Sequence, residues 1–435
     1  MQAHEYEEIG ETLYTETLAN GLRVLVVPKP AYHETYALFA TNYGSIDTRY
    51  VPQGGTEFVQ DPAGIAHFLE HKMFEKADHD AFDLFGANGA NANAYTSTTR
   101  TAYLFSASTK VAENLDTLLD FVQDPYFTPQ TVNKEKGIIG QEIQMYQDDP
   151  SWRLYLGLLG ALYPHHPASV DVTGSIASID TITAEMLYRA HARFYHPSNM
   201  TLTVVGDCDP QAVIAQVVAN QAAKTFPSAT PIKRGVVGDY DVKAKLSHRE
   251  LSLPVMRPKA MVGIKGLTAV DESVAGVRFQ IAARVLLEAL FGDSSPLYQQ
   301  WYDDGLVDDS FDYSYEAQRT FNFVSLGGDV EEPEAFIAAV QAVIARGADQ
   351  PLLTQERFAR LQHAALGKYY MSLNSLSGIA NALSAQSFGA VNLFDYGHLL
   401  QSLTLADVRQ AAEVLFVPEA VASVIIRNQS EAKRI

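Results

Sequence analysis

Two stretches of this chain run in step at an offset of 221 residues, and that repeat limits the folds open to it. Positions 181–206 read TITAEMLYRAHARFYHPSNMTLTVVG, and positions 402–427 read SLTLADVRQAAEVLFVPEAVASVIIR. Aligned without gaps, Thr183 meets Thr404, Ala190 meets Ala411 and Pro197 meets Pro418. Ile182 and Leu403, Phe194 and Leu415, Tyr195 and Phe416, and Val205 and Ile426 match in character. Each stretch predicts a capped helix, a proline turn and a strand. The offset is about half of the 435 residues, whereas solenoid repeats are far shorter. The pattern therefore predicts one domain present twice.

Both halves open on strand signals. NGLRVLVVPK (20–29) and ETYALFATNYGS (34–45) predict paired strands with Asn20-Gly21 as a turn, and PKAMVGIKGL (258–267) opens the second half. Helical stretches follow, as in ENLDTLLDFVQ (113–123) and VRFQIAARVLLEALF (277–291). Strands and helices mix within each half, so the expected class is α+β, with two similar mixed domains. Their expected extents are 1–225 and 251–435. The join at 226–250 lies in a stretch rich in Pro, Gly and charge.

Composition narrows the function. A net charge of −19 argues against nucleic-acid partners, which call for clustered Lys and Arg. One cysteine, Cys208, excludes a disulfide framework and a thiolate-rich zinc site. The opening MQAHEYEEIG is polar and acidic, and no apolar run reaches spanning length. The expectation is a soluble, cytoplasmic protein with no membrane partner.

The stretch HFLEHKMFE (67–75) carries the chemistry. At helical period, Ile65, Phe68, Leu69 and Met73 form a core stripe. His67, Glu70, His71 and Phe74 form the opposite arc, and Lys72 would have to snorkel beside the stripe. Histidines at i and i+4 can reach one ion, with Glu70 close enough to act on a water there. This is H-E-x-x-H run backwards. Three protein ligands are usual for catalytic zinc, so one more is needed. In TPQTVNKEKGIIGQEIQMY (128–146), Thr128 and Pro129 start a helix on which Glu135 and Glu142, seven apart, share a face flanked by Ile138, Ile139 and Tyr146. Carboxylates on an apolar face call for a partner or a metal.

On these residues the chain resembles the inverzincin metallopeptidases, the pitrilysin, insulysin and mitochondrial processing peptidase family. GIAHFLEHKMFE (64–75) is similar to that family's zinc helix, EKGIIGQEIQMY (135–146) to its second helix, and GANANAYTSTTRTAYLFS (89–106) to the strand that follows the zinc helix. The likeness is greatest to the bacterial YmfH-like members. It implies His67, His71 and Glu142 as Zn2+ ligands, Glu70 as general base and Glu135 as a carboxylate holding an imidazole or steering the site's charge. It also implies Asn91, Ala92, Asn93, Ala94, Tyr95 and Thr96 as an edge strand to which a peptide substrate adds. The implied activity is a zinc-dependent endopeptidase acting on peptides or unfolded segments in a chamber. The rival is an assembly component or peptide-binding module that keeps a structural zinc site.

The second half departs from the family's catalytic pattern. At the 221 offset, Glu288, Phe291 and Gly292 stand where His67, Glu70 and His71 stand in the first half. The segment SSPLYQQWYDDGLVDDSFDYS (294–314) has Tyr302 where active relatives commonly place an Arg, and Asp308 or a neighbour where they place a Tyr, two residues that help bind the substrate carbonyl. Because YmfH-like chains are encoded beside a sister chain, the resemblance implies a heterodimer that restores the missing donors, with a homodimer as the fallback. Tyr302 and Tyr313 are the candidate donors within the chain itself.

Overall fold

The computed structural model describes residues 1–386 and 389–428. In chain order, β1 (Gln2–Tyr6), β2 (Glu11–Thr17), β3 (Arg23–Pro28) and β4 (Thr35–Thr41) are followed by a short ribbon, β5 (Arg49–Tyr50) and β6 (Val59–Gln60). Then come α1 (Ile65–Phe74), α2 (Ala81–Ala87), β7 (Asn91–Thr96), β8 (Thr101–Ala107), α3 (Val111–Gln123), α4 (Pro129–Asp148) and α5 (Pro150–Leu162). α6 (Ile176–Asp180), α7 (Ala184–Phe194), β9 (Met200–Gly206) and α8 (Pro210–Ala222) follow. The later part holds β10 (His248–Leu253), β11 (Lys259–Lys265), α9 (Val274–Phe291), α10 (Pro296–Asp303), β12 (Asp312–Gln318) and β13 (Phe321–Asp329). It closes with α11 (Pro333–Ile344), α12 (Gln355–Ser372), α13 (Leu376–Ala385), α14 (Tyr396–Ser402), α15 (Leu405–Leu415) and β14 (Val421–Asn428). Helices and strands mix throughout, so the chain is α+β.

The duplication is written into the sheets. One has the order β1-β2-β3-β9-β4-β8-β7 and the other β10-β14-β11-β13-β12. The second repeats the last five strands of the first. β3 with β9 and β10 with β14 are parallel, and every later pair is antiparallel. α7 and α15 start on the aligned Thr183 and Thr404, whose side chains accept from Met186 N and Asp407 N.

The expected pairing of β3 with β4 does not occur. β9 lies between them, in register with Arg23–Pro28 on one edge and Thr35–Thr41 on the other. All seven residues of β9 are buried, as suits a central strand covered on both faces. The Asn20-Gly21 turn instead joins β2 to β3. Gly21 has φ +90°, a left-handed conformation that glycine adopts without steric cost.

One boundary between the compact units, Val236 to Val237, falls within 226–250, and the units also exchange segments elsewhere in the chain. One comprises Met1–Ile143, Asp171–Val236 and Tyr370–Phe394, and the other Gln144–Val170, Val237–Tyr369 and the chain from Asp395 onward. The reason is a pair of apolar helix faces. α13 buries Leu376, Ile379, Ala380 and Leu383 in the first unit, packing on β4 and β9. α5 buries Leu154, Leu158 and Leu162 in the second, packing on β10, β11 and β14. Each helix also reaches an edge strand of its own unit. Tyr95 Oη donates to Asn381 Oδ1 at 2.6 Å, and Tyr155 Oη lies 3.2 Å from both oxygens of Glu316.

Candidate metal centre

α1 begins at Gly64, whose φ is +89°. A Cβ on this residue would sit 2.5 Å from Thr173 O, so both the backbone conformation and the space demand glycine. Ile65, Phe68, Leu69 and Met73 are buried, as the period predicts. The opposite arc is buried too, His71 excepted, since Phe74 stacks on Phe82 and His67 and Glu70 are 7% and 8% exposed. Lys72 does not snorkel. It is fully buried and paired with Glu75, whose carboxylate replaces water as its partner.

On α4 the buried stripe is Val132, Ile139 and Ile143, while Ile138 is exposed. Thr128 caps the start through Thr131 N. The stripe docks α4 so that Glu135 and Glu142 meet α1. His67 Nε2 lies 3.5 Å from one oxygen of Glu142, and His71 Nε2 lies 3.4 Å from the other. Ring atoms and carboxylate oxygens of these three residues fall within 4.8 Å of one another, the one such group of three among the described residues. Glu135 Oε1 lies 3.0 Å from His71 Nδ1, where it fixes the ring and leaves Nε2 facing Glu142.

The electrostatics match this geometry. His67 and His71 hold the Glu142 carboxyl well below the usual carboxylate range. Burial works against a charged His71, but Glu135 and Glu142 outweigh it and lift the imidazole to about 10. Burial pushes the Glu70 carboxyl up, against the pull of His67. Three carboxylates around two imidazoles form a negative site that a divalent cation would neutralise. The residues fit zinc: one donor atom from each of the three lies within 4.8 Å of the others, and each imidazole Nε2 is 3.4–3.5 Å from a Glu142 oxygen, near the roughly 3.3–3.4 Å between donors on a tetrahedral ion. The nitrogen and oxygen donors are also of the types that zinc takes.

Among the described residues β7 is the terminal strand of its sheet and pairs with β8 alone. Its other edge is open, and the Ala94 N–H is met by the Asn93 side-chain oxygen at 2.8 Å. Asn91 and Asn93 are exposed. Tyr95 and Thr96 are engaged within the protein instead: Tyr95 with Asn381, and Thr96 through a hydroxyl that donates to Glu70 Oε2 at 2.5 Å. The Thr96 contact was not expected from sequence. Strand alternation is the signal that could have found it, since it puts Thr96 on the face of Ala92 and Ala94, away from Tyr95.

The second unit holds no comparable group among the described residues. Glu288 accepts from Tyr313 Oη at 3.2 Å, Phe291 is buried and Gly292 caps α9. Tyr302 is exposed, and the neighbouring Asp309 raises the pKa of its phenol. Asp308 pairs with Arg257 at 2.5 Å. His166 is an ordinary buried turn histidine, bonded to Thr320 Oγ1 at 3.0 Å. None of the described helices is long and apolar enough to cross a membrane.

A duplicated α+β chain with an inverted His-x-x-Glu-His helix and a carboxylate on a second helix defines a class of metallopeptidase-like proteins. The chain belongs to peptidase family M16. Residues 50–174 match the model described as insulinase (peptidase family M16), and residues 181–365 match the peptidase M16 inactive domain. The chain is 44% identical over 409 residues to the uncharacterized zinc protease YmfH of Bacillus subtilis, covering 94% of this chain and 95% of that one. A crystal structure of an M16-like peptidase from Alicyclobacillus acidocaldarius is similar at a TM-score of 0.92 and 34% identity, covering 96% of this chain and 99% of that one. A protease structure from Helicobacter pylori shares the fold at a TM-score of 0.82 and 19% identity, covering 95% and 99%.

Proposed function

We propose that this chain is a zinc-dependent endopeptidase, or the catalytic subunit of a two-chain one, with residues 1–225 carrying the chemistry and 251–435 a metal-free second domain. One observation carries the reading: His67, His71 and Glu142 converge at zinc-like spacing beside a buried Glu70, on a unit with an open edge strand. Zinc held there would polarise the scissile carbonyl and make water a nucleophile near neutral pH. Glu70 would take the proton from that water and deliver it to the leaving amine. Glu135 would keep His71 in the ring orientation that frees Nε2. An extended peptide would add to β7, trading the Asn93 side-chain oxygen at Ala94 N–H for its own carbonyl. A cytoplasmic setting is part of this reading.

The rival, an assembly component with a structural zinc site, draws on the inactive-domain match over 181–365. His67, Glu70, His71, Glu135 and Glu142 all lie within 50–174, the stretch matched by the other model. A structural zinc site also needs no buried general base.

The absent Arg and Tyr of the second half support a heterodimer with a sister chain of the same fold. Oxyanion donors are worth about 10²–10³ in rate, so the lone chain should be slow. The test is to incubate a mixed peptide library with the purified chain, zinc-loaded and chelated, with and without the product of the adjacent gene. Zinc-dependent cleavage that rises in the mixture is expected. Cleavage that survives chelation would overturn the zinc reading, and a lone chain as fast as the mixture would overturn the shared-site reading.

A further inference from the structure

We infer that Thr96 is a positioning residue that fixes the direction in which the Glu70 carboxylate faces; the inference rests on the peptidase reading above. Glu70 is 8% exposed, so water offers its carboxylate few partners. Among the described residues it takes one hydrogen bond, from the Thr96 hydroxyl to Oε2 at 2.5 Å. The terminal torsion of a glutamate is broad and two-fold. A donor bound to one oxygen removes that freedom and leaves Oε1 for the reacting water.

The donor itself is firmly placed. Thr96 is β-branched, which restricts its χ1, and it stands opposite Thr101 in the β7–β8 register. Its proton has two acceptors within reach, Glu70 Oε2 at 2.5 Å and Thr101 Oγ1 at 3.4 Å. The charged, closer one wins. Thr101 donates its own proton to Tyr43 O at 2.9 Å and so does not compete for Glu70. Tyr95, the preceding residue, is tied to Asn381 through the other face of the strand, which holds the backbone that carries Thr96. The repeat supplies an independent observation. At the 221 offset, Phe291 stands in place of Glu70 and Ala317 in place of Thr96, so neither member of the pair is kept at those two positions.

The experiment compares Thr96→Val, which keeps the branched shape and removes the hydroxyl, with Thr96→Ser, which keeps the hydroxyl. In zinc-loaded protein, Thr96→Val should lower kcat by about 10- to 100-fold with KM unchanged, and Thr96→Ser should recover most of it. Zinc content and the calorimetric affinity for an uncleaved peptide analogue should be the same in all three proteins. A Thr96→Val protein with wild-type kcat overturns the inference. A raised KM and weaker analogue binding at constant kcat also overturns it, by assigning the hydroxyl to substrate binding. Loss of zinc does so by assigning it to the metal site. If zinc-loaded wild-type protein cleaves nothing even when mixed with the product of the adjacent gene, the peptidase reading itself fails and takes this inference with it.

Discussion

Two side chains of the metal centre are held by neighbours, His71 by Glu135 and Glu70 by Thr96, whereas the buried His67 Nδ1 has no hydrogen-bond partner among the described residues. Glu135 is the clearest case, because it touches His71 and none of the other proposed ligands. Glu135→Gln should therefore weaken zinc binding about 10- to 100-fold without abolishing it, as competition with a chromophoric chelator would measure; unchanged affinity would remove Glu135 from the site. A second prediction concerns two histidines away from the metal. Burial pushes His166 and His191 down to about 4, each also repelled by a lysine, Lys265 and Lys76 respectively. Their folded pKa lies below the unfolded value, so the unfolded chain binds more protons between about pH 6.5 and 4. The stability they contribute is complete above that window and is lost as the pH falls through it, by at most about 1.4 kcal/mol per pH unit for each histidine. Urea unfolding at several pH values should give a shallower acid slope for the His166→Gln, His191→Gln double variant; an unaltered slope would contradict this. Helical period aligns His67 with His71 and Glu135 with Glu142, so the cluster could be read from sequence, whereas the choice of Glu142 over Glu135 as the expected third ligand came from the family resemblance. The burial of Lys72 and the grip of Thr96 on Glu70 could not be read there. The first depends on what packs around α1, and the second joins residues 26 apart through a strand-to-helix contact.

Among the elements, β7 and α13 carry the most consequence. Because Ala94 N–H points to the open edge, Ala94→Pro removes an outward donor and spares the ladder to β8. Peptide affinity should fall while zinc content stays, and unchanged affinity in the folded variant would rule out strand addition at this edge. α13 tests the other side of the sheet. Uncovering Ile379 and Leu383, which are 0% and 1% exposed, forfeits about 3–6 kcal/mol, a large part of the roughly 5–15 kcal/mol that holds a domain. A fragment of residues 1–247 should therefore fail to fold, and co-expression with the remainder should rescue it. A soluble fragment with a cooperative unfolding transition would refute that. The sequence showed the repeated helix–turn–strand unit because Thr183 and Thr404, and Pro197 and Pro418, keep step. It did not show which sheet α5 or α13 covers, since an amphipathic face announces that it will be buried and not against what. The same limit hid β9 between β3 and β4, where β9 joins strands more than 150 residues away in the chain.

At the scale of the molecule, one α+β strand order occurs twice, and among the described residues the candidate metal ligands stand in one copy. The second copy has Glu288 bonded to Tyr313 where the first has His67 facing Glu142. If the chain is the peptidase proposed, its net charge of −19 would give basic peptides a weak preference. Everything proposed here turns on whether the convergent residues of the first unit hold zinc and use Glu70 to hydrolyse peptides. Glu70 touches none of the three proposed ligands by hydrogen bond, so replacing it separates metal binding from chemistry. Zinc content and peptide hydrolysis, measured on the same samples of wild-type and Glu70→Gln protein, each mixed with the product of the adjacent gene, decide the matter. About one zinc per chain is expected in both, with hydrolysis in the wild type alone. Equal hydrolysis by the two proteins, or no zinc in either after growth in zinc-replete medium, would refute the zinc peptidase reading.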